Sequence, residues 1–556
     1  MRWARVRLWA TPLLLLILGL AAAALATREP KPAPVDAAPT VFSAARAMAD
    51  VRAIAQRPHP MGSADNQRVQ AYLLGRMTAL GLGPQPRPFD SAKGPGRNLL
   101  GVLPGRDRSA PAVLLMAHLD SVPTGPGAAD DGAGVAAALE TVRVFSLAPH
   151  QRDLMVLLTD GEEAGMLGAR AFFAADPARA HVGVVINLEA RGNRGRAVMF
   201  ETHRDAGPMI RALTQAHALA AASSLMPDLY RRLPNDTDLT EALQRGYAGL
   251  NFAFFSGLNA YHRPSDTPER LDPGSVQHLG EQALRAAAAL DPPVDPARPG
   301  AATDPLPGRG PDQAYADILG GPVLHYSAHF GWGLLLLAAA GLAAYGLRIA
   351  RQDRRSLAGV VGGAGAFVAL IVVISAGLMS LGMLREAAAG RHLAPLLRHV
   401  DGARTGAGMV VLGLSLVLAF VAERRLKPDS LAFGGLAVLA AGAAALQVLA
   451  PLDAFILTWP FVLIGLALTL GGPDRPWLRA VLLLAALAQT LYWARLIFDL
   501  VGQTLPVALA PLAALAMAAL SPVTPRAGPR TALAGLALSA AGVGLSLMAL
   551  RPEGRR

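Results

Sequence analysis

The chain has 556 residues, 53% hydrophobic and 16% charged, against about 45–50% and about 25% in soluble domains, which excludes a single soluble globule. Its formal net charge is +11, but 19 of 51 Lys and Arg residues and only 9 of 40 Asp and Glu residues lie after residue 327. The basic excess therefore flanks apolar runs, which indicates a membrane protein with no nucleic-acid partner. The absence of cysteine excludes disulfides, thiolate zinc sites and cysteine nucleophiles.

The first predicted element is an apolar segment at residues 8–27, which exports the residues that follow it. Three arginines precede its apolar core, and the Ala-Leu-Ala sequence at 24–26 resembles a cleavage site. The segment is either a signal peptide or an uncleaved anchor. Residues 1–35 are therefore predicted to form a signal segment with a linker.

Residues 36–290 alternate between short apolar runs and amphipathic stretches. The runs expected to form buried strands are 113–116, 154–158, 182–188 and 250–255. The stretches expected to form helices are 66–80, 134–145, 165–174, 206–221 and 275–290. This alternation predicts an α/β domain with a mostly parallel mixed sheet and helices on both faces. In such a fold, ligands bind at the carboxyl ends of the strands.

Side chains that bind metals or move protons follow directly after the predicted strands. They are His118, Asp120, Glu162, Glu163, Glu189, Tyr261 and His262, together with Asp130 in a loop that opens a helix. Imidazoles and carboxylates that converge from separate strands suit a divalent metal such as zinc. Taken singly, each has an ordinary explanation as a surface acid, a loop histidine or a helix cap. Their joint placement favours a metal site.

A linker and a membrane domain complete the predicted chain. Residues 291–327 are predicted to be a linker and pre-membrane segment, because 291–312 are rich in Pro and Gly. Residues 328–556 are predicted to be an all-α membrane domain of about eight transmembrane helices, since about 20 apolar residues cross a bilayer. With the N-terminal segment this makes nine spans, the others at 328–347, 357–384, 405–422, 430–452, 454–472, 478–500, 505–521 and 531–550.

The positions of Lys and Arg between these spans predict the orientation. With a cytoplasmic N-terminus, 14 of them lie on the cytoplasmic side and seven on the opposite side, outside the large domain. The positive-inside rule therefore places the domain on the exported side. High Ala, Arg, Gly and Pro usage looks bacterial, which predicts an inner membrane with the domain facing the periplasm. In a eukaryotic chain the domain would face a vacuolar or reticular lumen.

Several motifs carry a resemblance to a known family. HLD at 118, GAADDGAG at 127, GEEAGMLGARAF at 161, INLEARG at 186 and YHRPSDT at 261 resemble the co-catalytic di-zinc aminopeptidases and carboxypeptidases. RPHPMGSADNQRVQAYLL at 57, LPNDTD at 233 and ADILGGP at 316 are similar to the membrane-bound branch, which includes the endoplasmic-reticulum metallopeptidase and the vacuolar membrane protease. That branch also has a multi-span C-terminal region.

The resemblance implies two zinc ions per chain. It implies His118 and Glu189 as ligands of one ion and Glu163 and His262 as ligands of the other. Asp130 would bridge the two ions. The chain departs from the secreted aminopeptidases at Glu189, where they have Asp, and a longer carboxylate still binds zinc.

The resemblance also implies roles for residues beside the metals. Glu162 would be the general base, and Asp120 would accept a hydrogen bond from the metal-free nitrogen of His118. Tyr261 matches a family tyrosine that donates to the developing oxyanion. The alternative for Tyr261 is a packing role beside His262.

The function that the resemblance implies is a membrane-anchored exopeptidase of the aminopeptidase type. It would hydrolyse a peptide substrate with a metal-bridging hydroxide and a glutamate base, and its other partner would be the lipid bilayer. One alternative is a glutaminyl cyclase-like enzyme on the same scaffold. The other is an inactive binding or transport-associated membrane protein, against which the complete set of site residues argues. Substrate preference, amino- versus carboxypeptidase polarity and oligomeric state stay open.

Overall fold

The computed structural model divides the chain into two compact units. One comprises Arg28–His325, and the other comprises Met1–Thr27 and Tyr326–Arg556. The structure describes residues 2–291, 304–352, 359–388, 400–471, 474–502, 506–524 and 526–550.

The first unit is built on a seven-stranded mixed sheet. Its strands are β1 (Gln85–Ser91), β2 (Gly94–Leu103), β3 (Ala112–His118), β4 (Leu154–Thr159), β5 (Val182–Ala190), β6 (Val198–Thr202) and β7 (Ala248–Phe254). The spatial order is β1-β2-β4-β3-β5-β7-β6. The four central strands run parallel, whereas β1, β2 and β6 pair antiparallel at the two sides. All four predicted strands belong to the parallel centre.

Helices cover both faces of this sheet. The N-terminal helix α1 (Arg2–Ala26) belongs to the other unit. The helices of the sheet unit are α2 (Ala44–Ile54), α3 (Ala64–Ala79), α4 (Gly132–Phe145), α5 (Leu167–Ala175), α6 (Gly207–Gln215), α7 (Leu225–Tyr230), α8 (Asp238–Gln244) and α9 (Pro273–Leu290). Five of them overlap the predicted helices, while α2, α7 and α8 were not predicted.

The alternation of side chains along β3 shows how the two faces are filled. Val113 and Leu115 point into a core that includes α2, α4 and α9. Leu114 and Met116 point into a second core, built with α5 and α8. Every residue of β3 is buried, as expected of a central strand covered on both sides. The predicted α/β fold, with a mixed sheet and helices on both faces, is confirmed.

The sheet unit is longer at both ends than the predicted domain at 36–290. Before it, Ala33 N–H donates to Gln277 Oε1 at 3.0 Å. After it, β8 (Ala314–Asp317) and β9 (Val323–Tyr326) form a small second sheet, and the Tyr315 carbonyl accepts the Ser224 N–H at 2.9 Å. The later part of the predicted 291–327 linker therefore packs on the domain, and residues 292–303 lie outside the described residues.

The second unit is helical. After α1 it contains α10 (Ala328–Gln352), α11 (Val360–Ala388), α12 (Val400–Glu423), α13 (Pro428–Leu449), α14 (Phe455–Leu470), α15 (Pro476–Ile497), α16 (Ala510–Leu520) and α17 (Pro529–Met548). Among the described residues, seven helices, α1 included, are long and apolar enough to cross a membrane. The helices at Phe455–Leu470 and Val507–Val523 are apolar but shorter. Each of the nine predicted spans overlaps one of these helices, but only seven of the helices have the length that a membrane span needs.

Candidate metal centre

The predicted ligands meet at the carboxyl ends of the central strands. His118 is the last residue of β3, and Glu189 is the next-to-last residue of β5. Glu163 follows β4, His262 follows β7, and Asp130 lies just before α4. Because parallel strands end at one edge of a sheet, these five side chains converge there, as the sequence predicts.

One half of the site is formed by His118, Asp130 and Glu189. The Nε2 atom of His118 lies 3.1 Å from Asp130 Oδ1 and 3.8 Å from Glu189 Oε2. The three side chains are buried. Their donor atoms therefore face a common point between β3, β5 and the loop before α4.

The other half is formed by Asp130, Glu163 and His262. The Nε2 atom of His262 lies 3.2 Å from Asp130 Oδ2 and 3.1 Å from Glu163 Oε2. His262 is the more accessible histidine, with 39% of its side chain exposed. Asp130 thus presents one carboxylate oxygen to each histidine, which is the arrangement expected of a ligand shared by two ions.

The donor set fits zinc. Nitrogen or oxygen ligands at about 2.0–2.1 Å from a tetrahedral zinc lie about 3.3 Å from one another, which is close to the separations in both halves. In addition, Glu163 Oε1 is buried and has no hydrogen-bond partner in the described part of the chain. A buried carboxylate oxygen without a partner is costly unless it binds a cation.

Burial strongly influences the ionisation of the carboxyl groups here. It raises the pKa of Glu162 and of Glu189 well above their usual range. Burial acts in the same direction on Asp130, but hydrogen bonds from the two histidines outweigh it and lower the pKa of Asp130 to about 2. Burial opposes protonation of His262, yet the carboxylates of Asp130 and Glu163 raise its pKa to about 10. A divalent cation would compensate this excess of carboxyl groups.

Glu162 lies beside both halves of the site. A carboxylate oxygen of Glu162 lies within 4.8 Å of donor atoms of His118 and Glu163. Its backbone N–H donates to Asp120 Oδ1 at 3.1 Å. The predicted base is therefore held next to the candidate ligands, and Asp120 helps to position it.

The contact between Asp120 and His118 differs in detail from the one that the resemblance implies. The Nδ1 atom of His118 lies 3.0 Å from the carbonyl oxygen of Asp120 and 3.6 Å from its carboxylate. The backbone oxygen is thus the hydrogen-bonding partner at this distance. It orients the imidazole so that Nε2 faces Asp130, which is the orientation a metal ligand needs.

Three further acids support the site, and none of them was predicted as a site residue; for Asp131 the sequence suggested a helix cap, which the structure confirms. Asp131 begins α4 by accepting the Gly134 N–H and also accepts the His118 N–H at 3.2 Å. Asp266 accepts the backbone N–H groups of Ala129 and Asp130. Asp238 is 1% exposed and accepts a hydrogen bond from the Thr159 hydroxyl. All three lie within the motifs that carry the resemblance, so their positions were visible although their contacts were not.

Tyr261 joins the metal centre to a neighbouring pocket. Its ring stacks on the imidazole of His262 with 3.8 Å between centroids. The pocket has a volume of about 270 Å³, and Tyr261 lines it together with Asp130, Glu162 and Glu189. A ligand bound in this pocket would therefore lie next to the candidate metal ligands.

The chain is similar in sequence to proteins of a known family. Residues 98–287 match the sequence model of Peptidase family M28. The vacuolar membrane protease of Schizosaccharomyces pombe is 31% identical over 266 residues, which are 44% of this chain and 31% of that protein. The protein of the same name from Candida albicans is 31% identical over 243 residues, which are 42% and 29%. The chain thus spans about three tenths of the length of these curated relatives.

The chain is also similar to proteins of known structure. A zinc aminopeptidase from Bacillus subtilis has 13% sequence identity and a TM-score of 0.39, with 45% of this chain and 95% of that chain covered. A Porphyromonas gingivalis glutaminyl cyclase has 20% identity and a TM-score of 0.38, with 44% and 98% covered.

The fold and the donor set define an α/β domain with a candidate metal site at its strand ends. Residues 98–287 are a domain of peptidase family M28. The family predicted from the motifs is confirmed, and the described part of the chain also contains seven helices that are long and apolar enough to cross a membrane.

Proposed function

We propose that the protein is a membrane-anchored, zinc-dependent exopeptidase of the aminopeptidase type with two zinc ions per chain. The observation that carries this proposal is the position of Asp130, whose two carboxylate oxygens lie 3.1 and 3.2 Å from different histidines. Each histidine has its own glutamate partner, Glu189 or Glu163. One bridging acid with two separate pairs of ligands suits a two-metal site.

Each side chain then has a defined task. His118 and Glu189 would hold one ion, Glu163 and His262 the other, and Asp130 both. Bound zinc supplies Lewis acidity toward the scissile carbonyl and lowers the pKa of water.

Glu162 is the proposed general base. Its backbone is fixed by Asp120, and burial raises the pKa of its carboxyl group, which favours a group that both takes and returns a proton near neutral pH. Glu162 would accept a proton from the attacking water and pass it to the leaving amine.

Tyr261 is the proposed donor to the oxyanion. Its stacking on His262 fixes the ring at the edge of the pocket. Burial raises the pKa of its hydroxyl, so the group keeps its proton and is able to donate it in a hydrogen bond.

The test is a comparison of the full-length chain with Glu162→Gln, measuring zinc content and the hydrolysis of aminoacyl anilides and N-acetylated peptides. We expect both proteins to bind two zinc ions and only the wild type to release N-terminal residues. Loss of the base should lower kcat by at least about 100-fold. A folded wild-type protein without zinc or hydrolysis would contradict the proposal, and a single zinc with cyclisation of N-terminal glutamine would favour a cyclase.

The location of the domain belongs to the same proposal. The curated relatives are fungal and are called vacuolar membrane proteases. A domain on the exported side of the membrane agrees with the distribution of Lys and Arg. Its placement in a bacterial periplasm stays a prediction.

A further inference from the structure

The pocket beside the metal centre contains one positive charge. Among the described residues that line it, Arg191 is the only cationic one. Arg191 follows β5 directly, two residues after Glu189. The segment that carries a candidate ligand therefore also carries a guanidinium into the space where a substrate would lie.

The backbone and a neighbouring ring hold Arg191 in place. Its N–H donates to the carbonyl oxygen of Phe254 at 3.0 Å, so its Cα is fixed at the end of the sheet. Its Cζ lies 5.8 Å from the ring centroid of Tyr261, a distance at which the ring attracts a cation.

No carboxylate of the described residues lies within 4 Å of the Arg191 guanidinium, although this unit contains many close Arg–carboxylate pairs, such as Arg46 with Glu140. Four acids line the same pocket, Asp130, Glu162, Glu189 and Asp236. Under the proposed function, on which this inference rests, Asp130 and Glu189 bind zinc and Glu162 is the general base, while Asp236, like the other three, forms no ion pair with Arg191 in the described part of the chain. Arg191 then keeps its donors for a ligand.

The rest of the pocket suits the apolar part of a small molecule. Phe200 packs edge-on against Tyr230, with ring centroids 4.8 Å apart, and against Phe255 at 5.2 Å. All three rings line the pocket together with the polar residues. A ligand that fits both parts has an anionic group and an apolar body.

We propose that Arg191 binds a carboxylate of the peptide substrate and thereby determines substrate preference. The planar guanidinium binds a carboxylate with two parallel N–H···O bonds, which an amide of the same shape cannot accept. The carboxylate has two sources, the C-terminus of a short peptide or an acidic side chain next to the scissile bond.

The test measures kcat/KM of the full-length chain on matched pairs of peptides. One pair is a dipeptide with a free or an amidated C-terminus, and the other is a dipeptide amide with N-terminal Glu or Gln. In one of the two pairs, we expect kcat/KM to be about 10- to 100-fold higher for the peptide with the carboxylate, mainly because its KM is lower. A preference in the first pair would show that Arg191 binds the C-terminal carboxylate. A preference in the second pair would show that it binds the acidic side chain.

Three variants separate recognition from general charge effects. In Arg191→Ala the ratio of the two kcat/KM values should fall to near one. Arg191→Lys should restore part of the preference, because lysine carries the positive charge but lacks the two parallel N–H donors of the guanidinium. Arg194→Ala, an exposed residue of the same segment, removes an equal charge and should keep the wild-type preference.

Two results would overturn the inference. Hydrolysis by the wild type without a preference in either pair, or with a preference that Arg191→Ala retains, would overturn the role of Arg191 and leave the proposed function standing. A wild-type protein that cleaves none of the peptides would overturn both.

Discussion

Asp266 holds the loop that carries the bridging acid Asp130. One of its carboxylate oxygens accepts the N–H of Ala129 at 2.9 Å, and the other accepts the N–H of Asp130 at 3.2 Å. Asp266 is only 2% exposed, so water cannot readily replace it. The position of Asp130 between two histidines therefore depends on a residue that sequence reasoning did not assign.

Asp266→Ala is expected to lower zinc affinity about 10- to 100-fold, because the loop of Asp130 loses both of its acceptors. Competition with a chelator measures this affinity on the purified full-length chain. Glu269→Gln, an exposed change three residues along, is the matched control and should bind zinc like the wild type. Equal affinity in Asp266→Ala would show that the loop is held by other contacts.

At the residue scale, the candidate ligands were predictable because each follows a strand or opens a helix that the apolar pattern reveals. The hydrogen-bond partner of His118 Nδ1, in contrast, could not be predicted from the sequence. The sequence places Asp120 two residues later, but the loop dihedral angles decide whether its carbonyl or its carboxylate is nearer. Arg191 follows the same strand as Glu189, but it was not predicted as a site residue because the sequence does not show whether a side chain after a strand faces a pocket or the solvent.

At the scale of elements, the central strands were predictable and the outer strands were not. Strand β4 is buried throughout, and burial on both faces produces the continuous apolar run that identifies a strand. In β1, Pro86 and Pro88 interrupt the pattern and much of the strand is exposed, which is permitted only at an edge. The short helices α7 and α8 have too few turns for a periodic signal.

Glycines bring two membrane helices, α12 and α17, into close contact. A Cβ atom added at Gly535 would lie 2.6 Å from the Gly413 carbonyl oxygen, and one added at Gly542 would lie 2.6 Å from that of Gly406. Two pairs of glycines, seven residues apart on each helix, thus let the backbones touch. Small residues at such positions drive helix association in membranes.

Gly413→Leu is expected to destabilise this helix pair by about 1–3 kcal/mol, because the new side chain overlaps the neighbouring backbone. A lower thermal unfolding midpoint of the full-length chain in detergent would report it. Gly408→Leu provides a control on the same helix, where an added Cβ has no atom within 4 Å. Equal midpoints for the two variants would contradict the close packing.

At the scale of the whole molecule, the division into an α/β half and a helical half was predictable from composition, but the boundary between them was not. Pro and Gly predict a linker after residue 290, yet Tyr315 is buried and Asp317 N–H donates to the Ala222 carbonyl at 3.0 Å. These pairings join residues about 90 positions apart. No local pattern reveals such long-range contacts.

Residues 28–325 are therefore expected to unfold at a higher temperature than residues 36–290 when each is produced alone. The shorter piece loses the hydrogen bond between Ala33 and Gln277 and all contacts of Tyr315. Calorimetry measures the difference, and the predicted sign is a lower midpoint for the shorter piece. Identical midpoints would show that the terminal segments add nothing to stability.

The central claim is that Asp130 bridges two zinc ions. The most direct measurement is a crystal structure of the zinc-loaded protein with an anomalous difference map at the zinc edge. We predict two peaks, one within about 2.0–2.2 Å of ligand atoms of His118 and Glu189 and one equally close to Glu163 and His262, with Asp130 contacting both. A single peak, or peaks that Asp130 does not contact, would contradict the claim.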